Sequence, residues 1–327
     1  MASIREVAKL AGVSPSTVSR VMNNTARVDE EKKKRVLDAI EATGFQPNEL
    51  ARALFKQSSK IIGVIVSSIE NPFFSEIVRA IEEEAFEHGY RILICDSDGN
   101  VEKETMNVHM LNQMKADGLI MMAQGEKTSQ VISDCQIPVV VLDRRVSGDT
   151  VIASVTSDHY GGGRKATEYL LECGCKNIVC VRGPQNASSG KDRYQGYKDY
   201  CKEHGIEEKT IDCTYSYDDG LNAAQRILEK YSDVDGIFAC NDMVAFAICK
   251  VLRESGYRVP EDIQVIGYDN INFSRLFTPE ITTVRQPIKE MGRLAVQIIN
   301  RHINGEKYNK ENDFDVEIIE RQSAIRK

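Results

Sequence analysis

The sequence predicts a chain in two parts: an all-α head built as a helix-turn-helix, and an α/β body of two doubly wound parallel-sheet subdomains. Three observations carry that expectation. The chain has 327 residues, more than a single hydrophobic core usually organises. Residues 1–46 hold three short amphipathic segments, each with its own start and stop residues. From Ile61 onward, short apolar runs alternate with amphipathic stretches, the pattern of strand and helix in turn.

The first segment opens on Ser3-Ile4-Arg5-Glu6, the S-x-x-E pattern in which hydroxyl and carboxylate answer each other's backbone donors. Ile4, Val7, Ala8 and Ala11 then recur at helical spacing, and Gly12 supplies the stop. Ser14-Pro15 restarts a helix, with Ser as N-cap and Pro where its missing N–H costs nothing. Val18, Val21 and Met22 are expected inside, which leaves Ser16, Thr17, Ser19 and Arg20 toward solvent. A third helix is expected to open at Asp29 and to bury Val36, Leu37 and Ile40 before Gly44.

Charge separates the two parts. The formal total is −7, yet residues 1–60 contain eleven Lys/Arg against seven Asp/Glu, a surplus of four positive charges, so the rest carries an excess of eleven negative ones. A basic head on an acidic body implies an anionic partner at one end only. Joined to the turn chemistry of the first two helices, it predicts that the helix from Pro15 lies in the major groove of double-stranded DNA. Ser14, Ser16, Thr17 and Arg20 are the candidates to reach phosphates or base edges. The alternative is a small helical subdomain with a solvated basic face.

Residues 47–60 read as hinge and linker. Gln46-Pro47 breaks the chain, Asn48–Leu54 is barely two helical turns, and Lys56–Lys60 returns to linker composition. A helix that short is marginal alone in water.

The pattern Ile4-x-x-Val7-Ala8-x-x-Ala11-Gly12-Val13-Ser14-x-x-Thr17-Val18-Ser19-Arg20-Val21-Met22-Asn23 resembles the N-terminal signature of the lactose-repressor (LacI/GalR) family of transcription regulators. Pro47–Leu54 is similar to the family's hinge helix, and the likeness runs to Arg321. Glu6 stands where the family usually has Asp, which keeps an acid near the helix start. The resemblance implies a homodimer whose paired hinges lie in the minor groove, each wedging a leucine into a base step. Leu54 holds that position, with Lys56 beside it on the DNA-binding side. It also implies a core like the periplasmic sugar-binding proteins, effector-binding and dimerising over residues 61–327. One subdomain would take about 61–159 and 288–315, the other about 160–287 and 316–327.

Within the body, Ile61–Val66, Ile92–Cys95, Leu119–Met122 and Val139–Leu142 are the expected strands of the first half. Ile178–Val181, Asp212–Tyr215, Gly236–Cys240 and Ile263–Tyr268 are those of the second. Glu76–Glu87 and Leu221–Lys230 read as helices between them. Ligands of open α/β sheets gather beyond the carboxyl ends of strands. There stand Asn71-Pro72-Phe73-Phe74, Asp143-Arg144, Arg193, Asn241, Asp269 and Gln286. Carboxylates, guanidinium forks and amides engage paired hydroxyls, and aromatic faces cover C–H surfaces, which suits a polyol or sugar. Taken singly, Phe73 and Phe74 also fit a core, Asp143-Arg144 a structural ion pair, and Asp269-Asn270 a turn. As a set, Asn71, Phe73, Phe74, Asp143, Arg144, Arg193, Asn241, Asp269 and Gln286 resemble the ribose-binding residues of the periplasmic proteins. Purine repressors of the family use an extra arginine in the loop 183–193, where Ala187 stands here.

Other classes find little support. At 42% hydrophobic and 28% charged, the chain has a globular composition. No apolar run nears the roughly 20 residues of a membrane helix, so no membrane partner is expected. Nine cysteines without a signal peptide point to thiols in a reducing, cytoplasmic compartment. Five histidines show no H-x-x-x-H pair, and Cys173/Cys175 has no second zinc-spaced pair, so no metal is expected. Gly183–Asp192 departs from a P-loop in spacing and has Asp in place of the magnesium-holding hydroxyl. Gly161-Gly162-Gly163 lacks dinucleotide spacing and suits a crossover or helix start. No enzymatic activity or cofactor is therefore expected, and the resemblance implies a repressor released from operator DNA by a small sugar, ribose. Its rivals are a regulator using a phosphocarrier protein as corepressor and a sugar receptor without DNA function.

Overall fold

A computed structural model describes residues 2–23, 27–45, 58–122, 128–146 and 148–326. The chain divides into two units, Met1–Ser59 and Lys60–Lys327.

In the first unit, α1 (Ile4–Ala11), α2 (Pro15–Asn23) and α3 (Glu30–Thr43) form a three-helix cluster. The local chemistry sets each boundary. Ser3 Oγ accepts from Glu6 N at 3.3 Å while Glu6 Oε2 accepts from Ser3 N at 2.7 Å, and Gly12 ends α1 at φ 64°. Ser14 Oγ accepts from Thr17 N at 3.2 Å at the start of α2. Asp29 caps α3 through Lys32 N at 3.2 Å, and Gly44 closes it at φ 59°. Val7, Ala8, Ala11, Val18, Val36 and Ala39 make the core, with Val21, Met22 and Ile40 packed against it. Leu37 departs from expectation: it is 51% exposed. Val36, Ala39 and Ile40 complete the inner face of α3 at helical spacing, and Leu37 lies one residue, about 100°, around from Val36.

The second unit holds two six-stranded sheets. The first contains β1 (Ile61–Val66), β2 (Arg91–Asp96), β3 (Gly118–Met122), β4 (Val139–Leu142), β5 (Val151–Ser157) and β11 (Glu311–Phe314), in the order β11-β5-β4-β3-β1-β2. The second contains β6 (Ile178–Arg182), β7 (Lys209–Asp212), β8 (Gly236–Ala239), β9 (Gln264–Asp269), β10 (Thr282–Arg285) and β12 (Glu317–Ile319), in the order β12-β10-β9-β8-β6-β7. All pairings are parallel except β10 with β12. Helices α4 (Pro72–Glu87), α5 (Val101–Gln113), α6 (Thr128–Ser133), α7 (His159–Glu172), α8 (Ser188–His204), α9 (Tyr217–Lys230), α10 (Asp242–Glu254) and α11 (Ile288–Ile303) supply the layers over them. The central strands β3, β4, β8 and β9 are buried at every residue, as sheets covered on both faces require.

The chain passes between sheets three times: from β5 to α7 and β6, from β10 to α11, and from β11 to β12. Strand order reverses beside β1 in the first sheet and beside β6 in the second, so each sheet has a crevice at its strand ends.

Two strand expectations are corrected. Asp212–Tyr215 is not a strand; β7 is Lys209–Asp212, in register with Val179–Arg182 of β6. Ser216 caps α9 through Asp219 N at 3.2 Å, so the three residues after Asp212 form the turn leading into that helix. β5, absent from the expectation, reads Val-Ile-Ala-Ser-Val-Thr-Ser, too polar to register as an apolar run. Helices α4 and α9 also begin earlier than their apolar patterns, because the caps Asn71 and Ser216 set their starts.

Candidate functional site

In the head, Ser14, Ser16, Thr17 and Arg20 sit along α2 or at its cap. Ser14 Oγ lies 2.8 Å from Ser16 Oγ and 2.9 Å from Thr17 Oγ1, so three hydroxyls cluster at the helix start. Ser14, Ser16 and Arg20 are exposed and Thr17 is half-buried. Exposed hydroxyls and amides at a helix N-terminus favour an anion, and phosphate is the anion DNA offers. Leu54 and Lys56 lie outside the described residues.

In the second unit, the loops after β1, β2, β6 and β7 surround a cavity of about 450 Å³. Its walls include Glu70, Asn71, Phe74, Asp98, Tyr215 and Asp218. Asn71 caps α4 by accepting from Phe73 N at 3.0 Å. Phe73 and Phe74 meet edge to face at 5.2 Å, both buried in the core, and Phe74 also presents to the cavity. Asn241 caps α10 by accepting from Val244 N at 2.9 Å, and its Nδ2 donates to the Tyr215 carbonyl at 3.0 Å.

The remaining predicted residues come together as a buried chain of polar contacts. Asp143 and Arg144 directly follow β4, with Arg144 Nη2 3.9 Å from the Asp143 carboxylate and Nη1 bonded to Ser189. Asp143 Oδ1 lies 3.2 Å from His159 Nε2. Arg193, on α8, donates to His159 Nδ1 at 3.3 Å, to the Cys240 carbonyl at 2.8 Å and to Asp269 Oδ1 at 3.5 Å. Its guanidinium stacks 3.7 Å from the Tyr268 ring centroid. Gln286 donates to Asp269 Oδ1 at 2.8 Å and accepts from Ser157 at 2.9 Å. None of Asp143, Arg144, Arg193, Asp269 and Gln286 is more than 5% exposed. The chain of contacts thus starts and ends on the first sheet and passes through the second.

The backbone is distorted at the same points. Asp143 sits at φ 63°, Asp269 at 110° and Asn270 at 58°. A side-chain-bearing residue held there costs about 1–3 kcal/mol, and such conformations concentrate where side chains must be aimed. The glycine run opens α7, and a Cβ on Gly163 would collide with the Arg193 backbone carbonyl, so α7 can lie against α8 only without that side chain.

Electrostatics differ across the cluster. Burial alone would raise the Asp143 carboxyl, but His159, Arg144 and Arg193 outweigh it and hold it below its ordinary value. Burial and the charge of Arg193 push His159 down against the pull of Asp143. Asp269 is raised to about 8, because burial and the nearby Asp242 and Asp143 outweigh Arg193 and Gln286. The cluster therefore pairs a stably ionised carboxylate with one that readily carries a proton.

His159, Ser189, Tyr215, Tyr268 and Ser157 join this site without having been predicted. His159 and Ser157 flank the end of β5, and recognising that strand would have drawn attention to both. Among the described residues no group of three His, Cys, Asp or Glu is placed to hold a metal, and no helix is long and apolar enough to cross a membrane. All nine cysteines are buried without a disulfide. Burial raises thiols such as Cys95, Cys180 and Cys249, which makes them poor nucleophiles.

Residues 59–322 match the family described as periplasmic binding proteins and sugar binding domain of the LacI family, and residues 3–48 match bacterial regulatory proteins of the lacI family. A ribose operon repressor of Halalkalibacterium halodurans is 36% identical over 303 residues, 93% of this chain and 91% of that one. The HTH-type transcriptional repressor PurR of Pasteurella multocida is 35% identical over 311 residues, 93% of this chain and 92% of that one. The crystal structure of the Lac repressor dimer bound to operator and the anti-inducer ONPF aligns with a TM-score of 0.88 at 28% identity, over 98% of each chain. Matches over both parts, reaching nearly the whole length, make this chain a member of the LacI family of DNA-binding transcription regulators, with a helix-turn-helix head and a periplasmic-binding-protein-like, sugar-binding core.

Proposed function

We propose that this protein is a cytoplasmic, homodimeric repressor whose hold on operator DNA is released by ribose, bound in the cleft between the two sheets. The observation that carries the reading is the buried chain from Arg144 through Asp143, His159, Arg193, Asp269 and Gln286 to Ser157. It links carboxylates, guanidinium groups and an amide from both sheets in one buried network, and these are the groups that a ligand with several hydroxyls needs. Among the described residues, the walls of the cavity carry Glu70, Asp98 and Asp218 and no lysine or arginine, which favours a neutral sugar over a phosphorylated one. Phe74 offers an apolar face for the sugar's C–H surface.

Ribose competes with a purine base as the effector. At the start of α8, Ala187 is buried and makes no side-chain capping bond; a methyl group there offers nothing to a base's polar edge. The ribose-like set at the other positions favours the sugar. The dimer rests on the likeness to the Lac repressor dimer and on apolar side chains such as Ile94, Met106, Phe273 and Leu276, which stand exposed on the core.

Release follows from linkage. Ribose shifts the protein only by binding the operator-incompetent arrangement more tightly, and the coupling free energy equals that difference. Calorimetry with ribose and with a purine base, alongside operator binding in the presence of each, tests the reading. Ribose binding with loss of operator affinity is expected. No ribose binding at millimolar concentration overturns the effector and leaves the DNA assignment intact. Capture of a phosphocarrier protein, with operator affinity raised rather than lowered, would replace the sugar by that partner.

A further inference from the structure

We propose that His159 is a positioning residue for effector recognition: a neutral imidazole, hydrogen on Nε2, that keeps Asp143 of the first sheet and Arg193 of the second in one register. The role rests on the reading that those two residues meet the effector.

The tautomer follows from the partners. Arg193 Nε approaches His159 Nδ1 at 3.3 Å, and a guanidinium has only hydrogens to offer. Nδ1 must therefore present its lone pair. The Tyr268 hydroxyl lies 3.4 Å from the same nitrogen. The ring hydrogen is then on Nε2, which lies 3.2 Å from Asp143 Oδ1, an atom that only accepts when ionised. That approach is off line for a full hydrogen bond, and among the described residues neither atom has another hydrogen-bonding partner. Two buried polar atoms with no alternative hold each other by default, since leaving either unanswered is costly.

Placement gives the contact its leverage. His159 is the first residue of α7, capped by Asp158, where the chain has just left β5 for the second sheet. It is 4% exposed, and Asp143 and Arg193 are equally buried. A shift between the sheets therefore changes the distance from Asp143 to Arg193 through this ring. Arg193 keeps two other anchors, the Cys240 carbonyl and Asp269, so losing the histidine alters its aim without releasing it.

The same geometry makes the contact sensitive to acid. The charged or titratable groups facing the ring are Asp143 and Arg144 from the end of β4, Arg193 from α8, Tyr268 and Asp269 from β9, Asp158 beside it and Asp313 on β11. Protonation places a hydrogen on Nδ1, directly against the Arg193 N–H, and sets two positive charges together. Burial and Arg193 already hold the ring below its ordinary value. Acid thus breaks the Arg193 contact while the Asp143 contact survives.

The experiment uses the full chain with nitrogen-15-labelled histidine, and His159→Asn to assign the signal. The expected spectrum shows the Nε2–H tautomer at neutral pH, with a midpoint below that of an exposed histidine. Ribose affinity should weaken as pH falls through that midpoint. His159→Asn retains one acceptor and one donor and should keep affinity within about threefold, with that pH dependence lost. His159→Leu fills similar space with neither group and should lose about tenfold or more, with operator affinity unchanged as the check on folding. An Nδ1–H tautomer, or His159→Leu binding ribose as the parent does, overturns the proposal. If no sugar binds but the Nε2–H tautomer and lowered midpoint are seen, the effector reading fails while the register between Asp143 and Arg193 stands.

Discussion

Gln286 donates to Asp269 Oδ1 at 2.8 Å, joining the ends of the adjacent parallel strands β10 and β9, and its carbonyl oxygen accepts from Ser157 at the end of β5. One amide thus ties a second-sheet carboxyl to a first-sheet hydroxyl at a place where the chain crosses between sheets. Gln286→Ala removes two buried hydrogen bonds, each worth about 0.5–1.5 kcal/mol, while Asp269 keeps Arg193 and Ser157 keeps the Met291 sulfur, so the total cost is about 1–3 kcal/mol. Denaturant unfolding should show a loss in that range, and calorimetry a fall in ribose affinity of about tenfold or more. Stability and affinity equal to the parent's would remove the bridge from the account.

Asp269 gives the core a pH signature. An ordinary aspartate titrates near 3.8 and this one is raised to about 8, chiefly by burial, so the folded chain holds the proton more tightly than the unfolded chain. Its contribution to stability is therefore full below about pH 4 and is lost as pH rises toward 8. Asp242, raised to about 6 by burial against bonds from Ser274 and Thr283, acts in the same direction. Asp143 and His159, both lowered, act in the opposite one, so the informative quantity is a difference between two chains. Relative to the parent, Asp269→Asn should melt progressively higher as pH is raised from 4 to 8, and a constant offset would refute the raised carboxyl. Asp269→Ala should abolish the response to sugar with operator binding intact; normal release by sugar would mean that the pocket is misplaced.

Local chemistry was legible in the sequence, and long-range geometry was not. Ser3 with Glu6, Gly12, Ser14 with Pro15, and Gly44 act within four residues of themselves, so the head's helix ends could be read directly. Leu37 shows the limit, since an apolar residue one step from the inner face looks like core until the three helices are packed. Strands such as Ile61–Val66 announce themselves by unbroken apolar runs, whereas β7, Lys-Thr-Ile-Asp, has one apolar residue and forms by pairing with β6. Asp143 and Asp269 were visible because they stand at the ends of apolar strands, whereas Gln286 follows Thr-Thr-Val-Arg and stood out through its place in the ribose-like set. His159 follows a strand of small and polar residues, and Tyr268 meets Arg193 only after α8 has packed over the second sheet.

Arg20 tests the head. It is exposed in the last turn of α2, past the hydroxyl cluster at Ser14, Ser16 and Thr17. Arg20→Ala should weaken operator binding, and the form of the loss tells which contact was made. A phosphate contact lowers the salt slope by about 1 and weakens all sequences alike; a base contact costs about 1–3 kcal/mol and relaxes preference at one position. Binding unchanged in affinity, salt slope and preference would take Arg20 off the duplex.

Leu54 tests the link between head and core. It lies outside the described residues, so the expectation rests on the sequence and on family membership. The sequence leads one to expect a helix over 48–54, and a helix that short would be marginal alone in water and gain stability only where something packs against it. A base step opened by an apolar wedge is such a surface, at an unstacking cost of a few kcal/mol that the bent duplex must return in further contacts. Leu54→Ala removes the wedge and leaves the basic head, so specific operator affinity should fall sharply while non-specific binding changes little. Ribose affinity in the absence of DNA should be unchanged, because the cleft lies in the other unit. Operator titrations of parent and variant at several salt concentrations separate the two terms, and equal specific affinity would leave residues 47–60 as a tether.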